Sequence, residues 1–132
     1  MDALGNLVRF VLLPGQRHDM VGVPPLIEGV TFGALLGDRA FDTDRLRADL
    51  GARGARGARG ARGARGAAAV IPPKANRKAT VAFDREMYRW RHLVENAFAK
   101  LKEFRAIATR YDKTDVSFAA SIHLAAAIIA SR

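Results

Sequence analysis

An uninterrupted helical stretch over residues 87–104, MYRWRHLVENAFAKLKEF, constrains this chain more than any other segment. It contains no Gly or Pro and consists mostly of good helix formers, so it predicts about five turns of helix, with Asp84 as a candidate N-cap. Apolar residues recur on one stripe at helical spacing, which predicts a buried face. The stripe consists of Met87, Trp90, Val94, Ala97, Leu101 and Phe104.

A second set of side chains on this helix carries reactive groups. Tyr88, Arg91, Glu95 and Lys102 are separated by three, four and seven residues. At about 100° per residue they lie within roughly 60° of one another. A carboxylate beside two cations and a phenol could offer a metal ligand next to phosphate-binding groups. The alternative is a solvated face with an intrahelical Arg91–Glu95 pair, worth about 0.3–0.5 kcal/mol. The spacing alone leaves both interpretations open.

Three other segments are predicted as strands, and they suggest an α/β fold. Residues 6–13 (NLVRFVLL) follow a turn signal and would form the second arm of a hairpin. Residues 30–37 (VTFGALLG) are apolar throughout, which predicts a central strand covered on both faces. Residues 68–71 resume the fold and stop at Pro72-Pro73.

Shorter helices complete the predicted order of elements. Thr43 is the favoured cap of a helix over residues 44–50, and Pro24-Pro25 permit at most a short helix within residues 20–29. Asp115 can cap a last helix over residues 116–130. Its apolar face would consist of Phe118, Ile122, Ala125 and Ile129.

Asp38 directly follows the second predicted strand. A carboxylate at the carboxyl end of a buried strand occupies the usual ligand position of an open α/β sheet. Asp42 and Thr43 fit the capping of the next helix, whereas Asp38 is too early for it, which favours a functional role for Asp38. The adjacent His18 and Asp19 could be a pair of metal ligands or a catalytic base with its partner. A structural hydrogen-bonding role is favoured, because neighbouring residues rarely face one ligand.

Residues 51–66 consist of the triplet Gly-Ala-Arg repeated five times and followed by Gly. Glycine at every third position disfavours helix, and nothing larger than alanine is available for burial, so we expect a flexible basic loop with a little helix at its start. A neutral repeat expansion is favoured over an arginine tract that binds DNA phosphates. Of the net charge of +9, five charges come from these arginines, which leaves 9 − 5 = +4 for the remainder.

The composition sets wider limits. The 132 residues allow one domain, and the basic balance favours a polyanionic partner. The chain has no cysteine, which excludes disulfides, thiolate metal sites and cysteine nucleophiles. With neither a signal peptide nor an apolar run of spanning length, we expect a cytoplasmic protein without a membrane partner.

The spacing Y-x2-R-x3-E-x6-K of Tyr88, Arg91, Glu95 and Lys102 resembles the signature of DDE transposases of bacterial insertion sequences. Four further motifs resemble the same family in order and spacing, and together they cover nearly everything except the repeat. These motifs are PGQRHD (residues 14–19), LLGDRAFD (35–42), VIPPKANRK (70–78) and IATRYDKT (107–114).

The resemblance implies the C-terminal two-thirds of an RNase H-like fold, with residues 1–132 as a partial catalytic domain and the repeat (residues 51–66) as an insertion. It implies Asp38 and Glu95 as catalytic, metal-binding carboxylates for Mg²⁺ or Mn²⁺ in two-metal phosphoryl transfer on DNA. Phosphate-contacting residues would be Tyr88, Arg91, Lys102, Lys74, Arg77 and Lys78. In the same family the pair His18 and Asp19 lies near the active site, which makes it a secondary candidate.

One departure from the family pattern concerns the first catalytic Asp, which lies on a strand that would precede Met1. The isolated chain is therefore expected to be inactive and to require an upstream segment or reading-frame product. Whether it is a decayed remnant or a frame joined by frameshifting stays open, as does association with further copies of the chain. A non-catalytic, basic nucleic-acid-binding protein is the alternative function.

Overall fold

A computed structural model of the chain describes residues 1–57 and 67–131. These residues form two compact units. The sheet unit comprises Gln16–Arg91, and the helical unit comprises Met1–Gly15 together with His92–Arg132. Helices and a small sheet occur together, as the predicted α/β class requires.

The sheet unit is built on two parallel strands. Strand β1 (Ala34–Leu36) pairs with β2 (Ala68–Val70) in the register Ala34↔Ala68 and Leu36↔Val70. Parallel strands require a crossover connection, and helix α2 (Asp44–Gly57) lies in that connection. Both strands were predicted, but β1 occupies only the last part of residues 30–37 and is half-buried. It is not central in the described residues, because β2 is its one neighbour there.

The core of the sheet unit lies between α2, β2 and the short helix α1 (Val23–Ile27). Its buried residues are Val23, Ile27, Leu46, Leu50, Ala67 and Ile71. Helix α1 has prolines in its first turn, as predicted, because proline tolerates that position without losing a helical hydrogen bond. Leu50 and Ile71 have no exposed surface and therefore fix α2 against the end of β2.

Helix α2 is longer than predicted. The Thr43 hydroxyl accepts a hydrogen bond from the Leu46 N–H at 3.2 Å, so Thr43 caps the helix as expected. The helix does not end at Leu50 but continues to Gly57, so the little helix expected at the start of the repeat forms as the last part of α2. Arg53 supports this extension, since it bonds to Asp49 and donates to the Ile27 carbonyl at 3.0 Å. The predicted flexibility of the repeat concerns residues 58–66, which lie outside the described residues.

The predicted five-turn helix is two helices. Helix α3 (Arg85–Arg89) is capped by the Asp84 carboxylate, as predicted, and α4 (His92–Lys102) follows after a break. At the break, the N–H groups of Trp90 and Arg91 bond to carbonyls three residues back, which tightens the turn. The predicted buried stripe is correspondingly wrong for Met87, Trp90 and Val94, which are exposed, whereas Leu101 and Phe104 pack into a core.

The helical unit packs α4, α5 (Arg105–Ala108) and α6 (Asp115–Ala130) around Leu101, Ile122 and Ala125. The predicted apolar face of α6 is confirmed: Ile122 and Ala125 are buried, and its other two members pack against them. The cap was wrong, because the Thr114 hydroxyl, and not Asp115, accepts from the N–H of the first turn. Asp115 instead pairs with Arg110.

The predicted strand over residues 6–13 does not form. A strand requires a hydrogen-bonded neighbour, and this segment pairs with none within residues 1–57 and 67–131. Its apolar side chains pack on the helical core instead, through Leu7, Phe10 and Leu12. The turn signal before it is real, because the Asp2 carboxylate accepts from the Leu4 and Asn6 N–H groups and Gly5 has a φ of 87°.

Candidate functional site

Asp38 lies immediately beyond the carboxyl end of β1, as its sequence position predicts. It also caps a short 3-10 helix, Arg39–Phe41, through a 2.8 Å hydrogen bond from the Ala40 N–H to Oδ1. As expected, Asp38 does not cap α2, which Thr43 caps; the short 3-10 helix that it does cap was not predicted. Within the described residues Oδ2 accepts no hydrogen bond, so the carboxylate is fixed in orientation with one oxygen available.

Asp42 is a buried, fully bonded carboxylate and does not cap α2. Its side chain has no exposed surface. Oδ1 accepts from Arg47 Nε at 2.8 Å and Arg77 at 2.9 Å, and Oδ2 accepts from Arg77 Nε at 2.8 Å and the Lys74 N–H at 2.7 Å. Arg77 thus makes a bidentate contact, the strongest geometry for an arginine–carboxylate pair. These bonds tie the start of α2 to the segment after β2.

Arginine keeps Asp42 ionised. The hydrogen bonds from Arg77 are the main cause that holds the pKa of Asp42 far below its usual range, against the opposing effect of burial. The Lys74 N–H and Arg47 act in the same direction. The same contacts, together with Asp44, raise the pKa of Arg77.

This network was missed from the sequence, which suggested Asp42 as a cap. Arg47 lies on α2 and also donates to the Ile71 carbonyl at 2.8 Å, which joins the helix to the end of β2. A signal was available in the sequence. Arg45 and Arg47 follow Asp42 at a junction between strand and helix, and a carboxylate that is buried there requires cations as partners. The distance of 35 residues between Asp42 and Arg77 hid their contact.

The basic segment after Pro72-Pro73 lines part of an open cavity of about 360 Å³. Its lining includes four residues of this segment, Lys74, Asn76, Arg77 and Lys78, together with Asp42 and Asp44. Arg77 is committed to these two aspartates, with Asp44 at 2.6 Å. Lys78 is exposed and Lys74 half-buried, and neither forms an ion pair within the described residues. The aspartate–arginine network therefore supports a loop whose lysines face an open cavity.

The helix signature is divided by the break before α4. Tyr88 and Arg91 belong to the sheet unit, where Arg91 lies 3.4 Å from the Tyr88 hydroxyl and the Tyr88 ring contacts Phe83 edge to face. Glu95 and Lys102 lie on α4, in the helical unit. Seven residues apart, these two share one face of that helix.

His18 and Asp19 are exposed and begin a 3-10 helix, Asp19–Gly22. That helix contacts the 3-10 helix capped by Asp38, so the two motifs are neighbours in the sheet unit. The His18 side chain does not cap its helix.

The donor chemistry of Asp38 suits a hard divalent cation, because its orientation is fixed and an oxygen is available. Asp42 and Asp44 do not suit this role, since both are bonded to arginine. In the described part of the chain, no three His, Cys, Asp or Glu side chains are grouped so as to hold a metal ion. The same residues include no helix of the length and apolarity that would cross a membrane.

Comparison with known proteins defines the class. Residues 35–132 match the family model described as a transposase DDE domain. The chain is also 32% identical over 130 residues to a Brucella ovis protein assigned as the transposase of insertion sequence element IS6501, covering 98% of this chain and 92% of that protein. No solved structure matches. The chain belongs to the DDE transposases of insertion sequences. That family implies chemistry that depends on a divalent metal.

Proposed function

We propose that this chain is the C-terminal catalytic portion of an insertion-sequence transposase that cleaves and transfers DNA strands. The observation that carries the proposal is Asp38, a fixed carboxylate with an available oxygen at the carboxyl end of a parallel strand. That edge is the usual site of chemistry in α/β folds. Membership of the DDE family supports the same reaction class.

In this proposal Asp38 and Glu95 are the metal-binding carboxylates, with Mg²⁺ or Mn²⁺ as the ion. When bound, the metal pair would activate a water or a 3′-hydroxyl and stabilise the leaving oxygen. The Ala40 N–H orients Asp38 for this role. Glu95 lies in the first turn of α4, and Asp38 and Glu95 belong to different units.

Contacts to DNA phosphates come from the lysine-lined cavity and from the helix signature. Lys74 and Lys78 supply cations at the cavity, while Arg77 supports the loop through its aspartates. Tyr88 lies in the last turn of α3, Arg91 lies in the break before α4, and Lys102 is the last residue of α4. His18 and Asp19 remain secondary candidates beside the Asp38 turn.

The finer fold assignment is part of the proposal. In this assignment the elements of the sheet unit follow the order of an RNase H-like fold, from β1 through the turn with Asp38 and Asp42 and the crossover helix α2 to the parallel strand β2. Residues 1–132 are then a partial catalytic domain. The repeat at residues 51–66, which begins within α2, is then an insertion ahead of β2. A further carboxylate from an upstream segment would complete the acidic set, and the chain without it would not cleave DNA.

The test measures Mg²⁺- or Mn²⁺-dependent nicking of element-end DNA by the chain, alone and joined to an upstream transposase segment. We expect nicking only with the upstream segment. Asp38→Asn or Glu95→Gln should then reduce it at least about 100-fold while DNA affinity stays within about twofold. Asp49→Asn, at an exposed ion pair on α2, is the matched control and should retain full activity. Nicking that survives either site substitution would contradict the assigned roles.

The alternative is a non-catalytic, basic nucleic-acid-binding protein that binds through its repeat arginines. It can be tested without disturbing α2 by changing Arg59, Arg62 and Arg65 together to Gln, which leaves Arg53 and its contacts in place. Loss of DNA binding and of its salt dependence would favour this alternative. We expect a small change instead, with most affinity retained by the lysine-lined cavity.

A further inference from the structure

The turn between α5 and α6 (residues 109–114) includes a strained residue. Arg110 has a φ of 47°, a left-handed conformation that is uncommon outside glycine. Its guanidinium pairs with Asp115 and lies 5.1 Å from the centre of the Phe118 ring. Such strain persists only where surrounding contacts over-determine it, and it is concentrated at functional sites.

The other polar side chains of the turn are also held. Asp112 accepts a hydrogen bond from the Ser121 hydroxyl at 3.0 Å, and Thr114 caps α6 through the Ser117 N–H. The Thr109 hydroxyl donates to the Arg105 carbonyl. Within the described residues, Tyr111 and Lys113 are therefore the two turn residues whose side chains make no hydrogen bond or ion pair.

Tyr111 is 62% exposed, on a turn whose other polar side chains, apart from Lys113, are hydrogen-bonded or ion-paired. Fixing the backbone around an exposed ring lowers the entropy that the ring loses when it binds a partner. The ring face suits stacking on a base, and a lysine two residues away suits the neighbouring phosphate. A paired base within a duplex has both faces covered, so the accessible partner is an unpaired base.

We infer that Tyr111 and Lys113 form a contact site for single-stranded DNA, with the Tyr111 ring stacked on an unpaired base and the Lys113 ammonium on the adjacent phosphate. The site lies in the helical unit, apart from the lysine-lined cavity of the sheet unit. The inference rests on the proposed function, which supplies DNA as the substrate.

The experiment compares two DNA hairpins, each closed by a non-nucleotide linker so that its loop has no unpaired base, one blunt and one with a single-stranded 3′ extension that contains 2-aminopurine. Anisotropy gives the affinity, and 2-aminopurine fluorescence reports stacking. We expect Tyr111→Ala to weaken binding of the extended hairpin about 5- to 100-fold and to remove the quenching, with little effect on the blunt hairpin. Tyr111→Phe keeps the ring and should retain both signals. Leu124→Ala is the control, since Leu124 is 65% exposed on α6 in the same unit.

Lys113→Gln should make the negative slope of log K against log salt less steep by about one for the extended hairpin. Wild-type binding that is unaffected by Tyr111→Ala would overturn the inference and leave the proposed function standing. An equal loss on the blunt hairpin would also overturn it, since Tyr111 would then contact duplex. If the wild-type chain binds neither hairpin, the proposed function fails and the inference fails with it. Thermal melting of each variant identifies any effect that comes from unfolding.

Discussion

At the scale of single residues, Asp42 is the side chain on which the lysine-lined cavity depends. Two guanidinium groups and one backbone N–H donate hydrogen bonds to its two oxygens. These bonds replace the hydrogen bonds to water that the carboxylate loses when it is buried. The partners come from α2 and from the segment after β2. Asp42 therefore sets the position of Lys74 and of the loop that carries Lys78.

Replacing Asp42 with Asn should lower the free energy of unfolding by about 3 kcal/mol. The value lies at the lower end for buried pairs because Arg47 and Arg77 remain partly exposed. Urea denaturation gives the change directly. Asp49→Asn, which removes an exposed pair with Arg53, should cost less than about 0.5 kcal/mol. Equal losses in the two variants would show that the Asp42 network does not stabilise the fold as described.

The depressed pKa of Asp42 predicts the direction of its acid response. Because the folded-state pKa lies below the ordinary aspartate value of about 3.9, its stabilisation is present above that pH and is lost as pH falls below it. Denaturation midpoints between about pH 5 and pH 2 should therefore fall steeply for the wild type and less steeply for Asp42→Asn. An unchanged slope in the variant would assign the acid response to other carboxylates.

At the scale of elements, the sequence was informative wherever a local pattern decided the outcome. The apolar period of α6, the cap by Thr43 and the prolines of α1 are local, and all three predictions are confirmed. The break between α3 and α4 has no Gly or Pro to mark it, so helix propensity could not reveal it. Strand formation over residues 6–13 depends on a partner, which a local pattern cannot supply.

Helix α6 provides a sharp test of packing because it is apolar on several faces, although only one of them is in the core. Ile122 is 8% exposed, whereas Leu124, two residues away, is 65% exposed. Ile122→Ala should cost about 2–4 kcal/mol, and Leu124→Ala should change stability by less than about 0.5 kcal/mol. Chemical denaturation of both variants checks the difference. The reverse order would mean that α6 packs through its other face.

At the scale of the whole molecule, charge is unevenly distributed along the sequence. More than half of the net charge of +9 comes from the five repeat arginines, and the lysines of the cavity lie outside the repeat. The candidate site likewise could be only partly predicted. Asp38 and the basic segment were identified from their places after two strands, but the Asp42–Arg77 contact spans α2 and the repeat, beyond the reach of a local pattern.

If the cavity binds DNA phosphates, its lysines should carry a definite share of the salt dependence. Changing Lys74 and Lys78 together to Gln should make the negative slope of log K against log salt less steep by about two. Arg45→Gln, on an exposed position of α2 outside the cavity, removes one charge of the same unit and should leave the slope nearly unchanged. Affinity measured at several salt concentrations distinguishes the two. Equal slopes for both variants would exclude the cavity as a phosphate-contacting surface.

The pairing of Asp42 with Arg77 also limits how this family can diverge. Losing either partner alone leaves a charge without its counterpart in the protein interior, whereas losing both can be nearly neutral. Mutational drift at the two positions should therefore be coupled, with the single-change intermediates rare. In an alignment of related transposases, we expect positions 42 and 77 to change together, and relatives without the aspartate to lack the arginine as well.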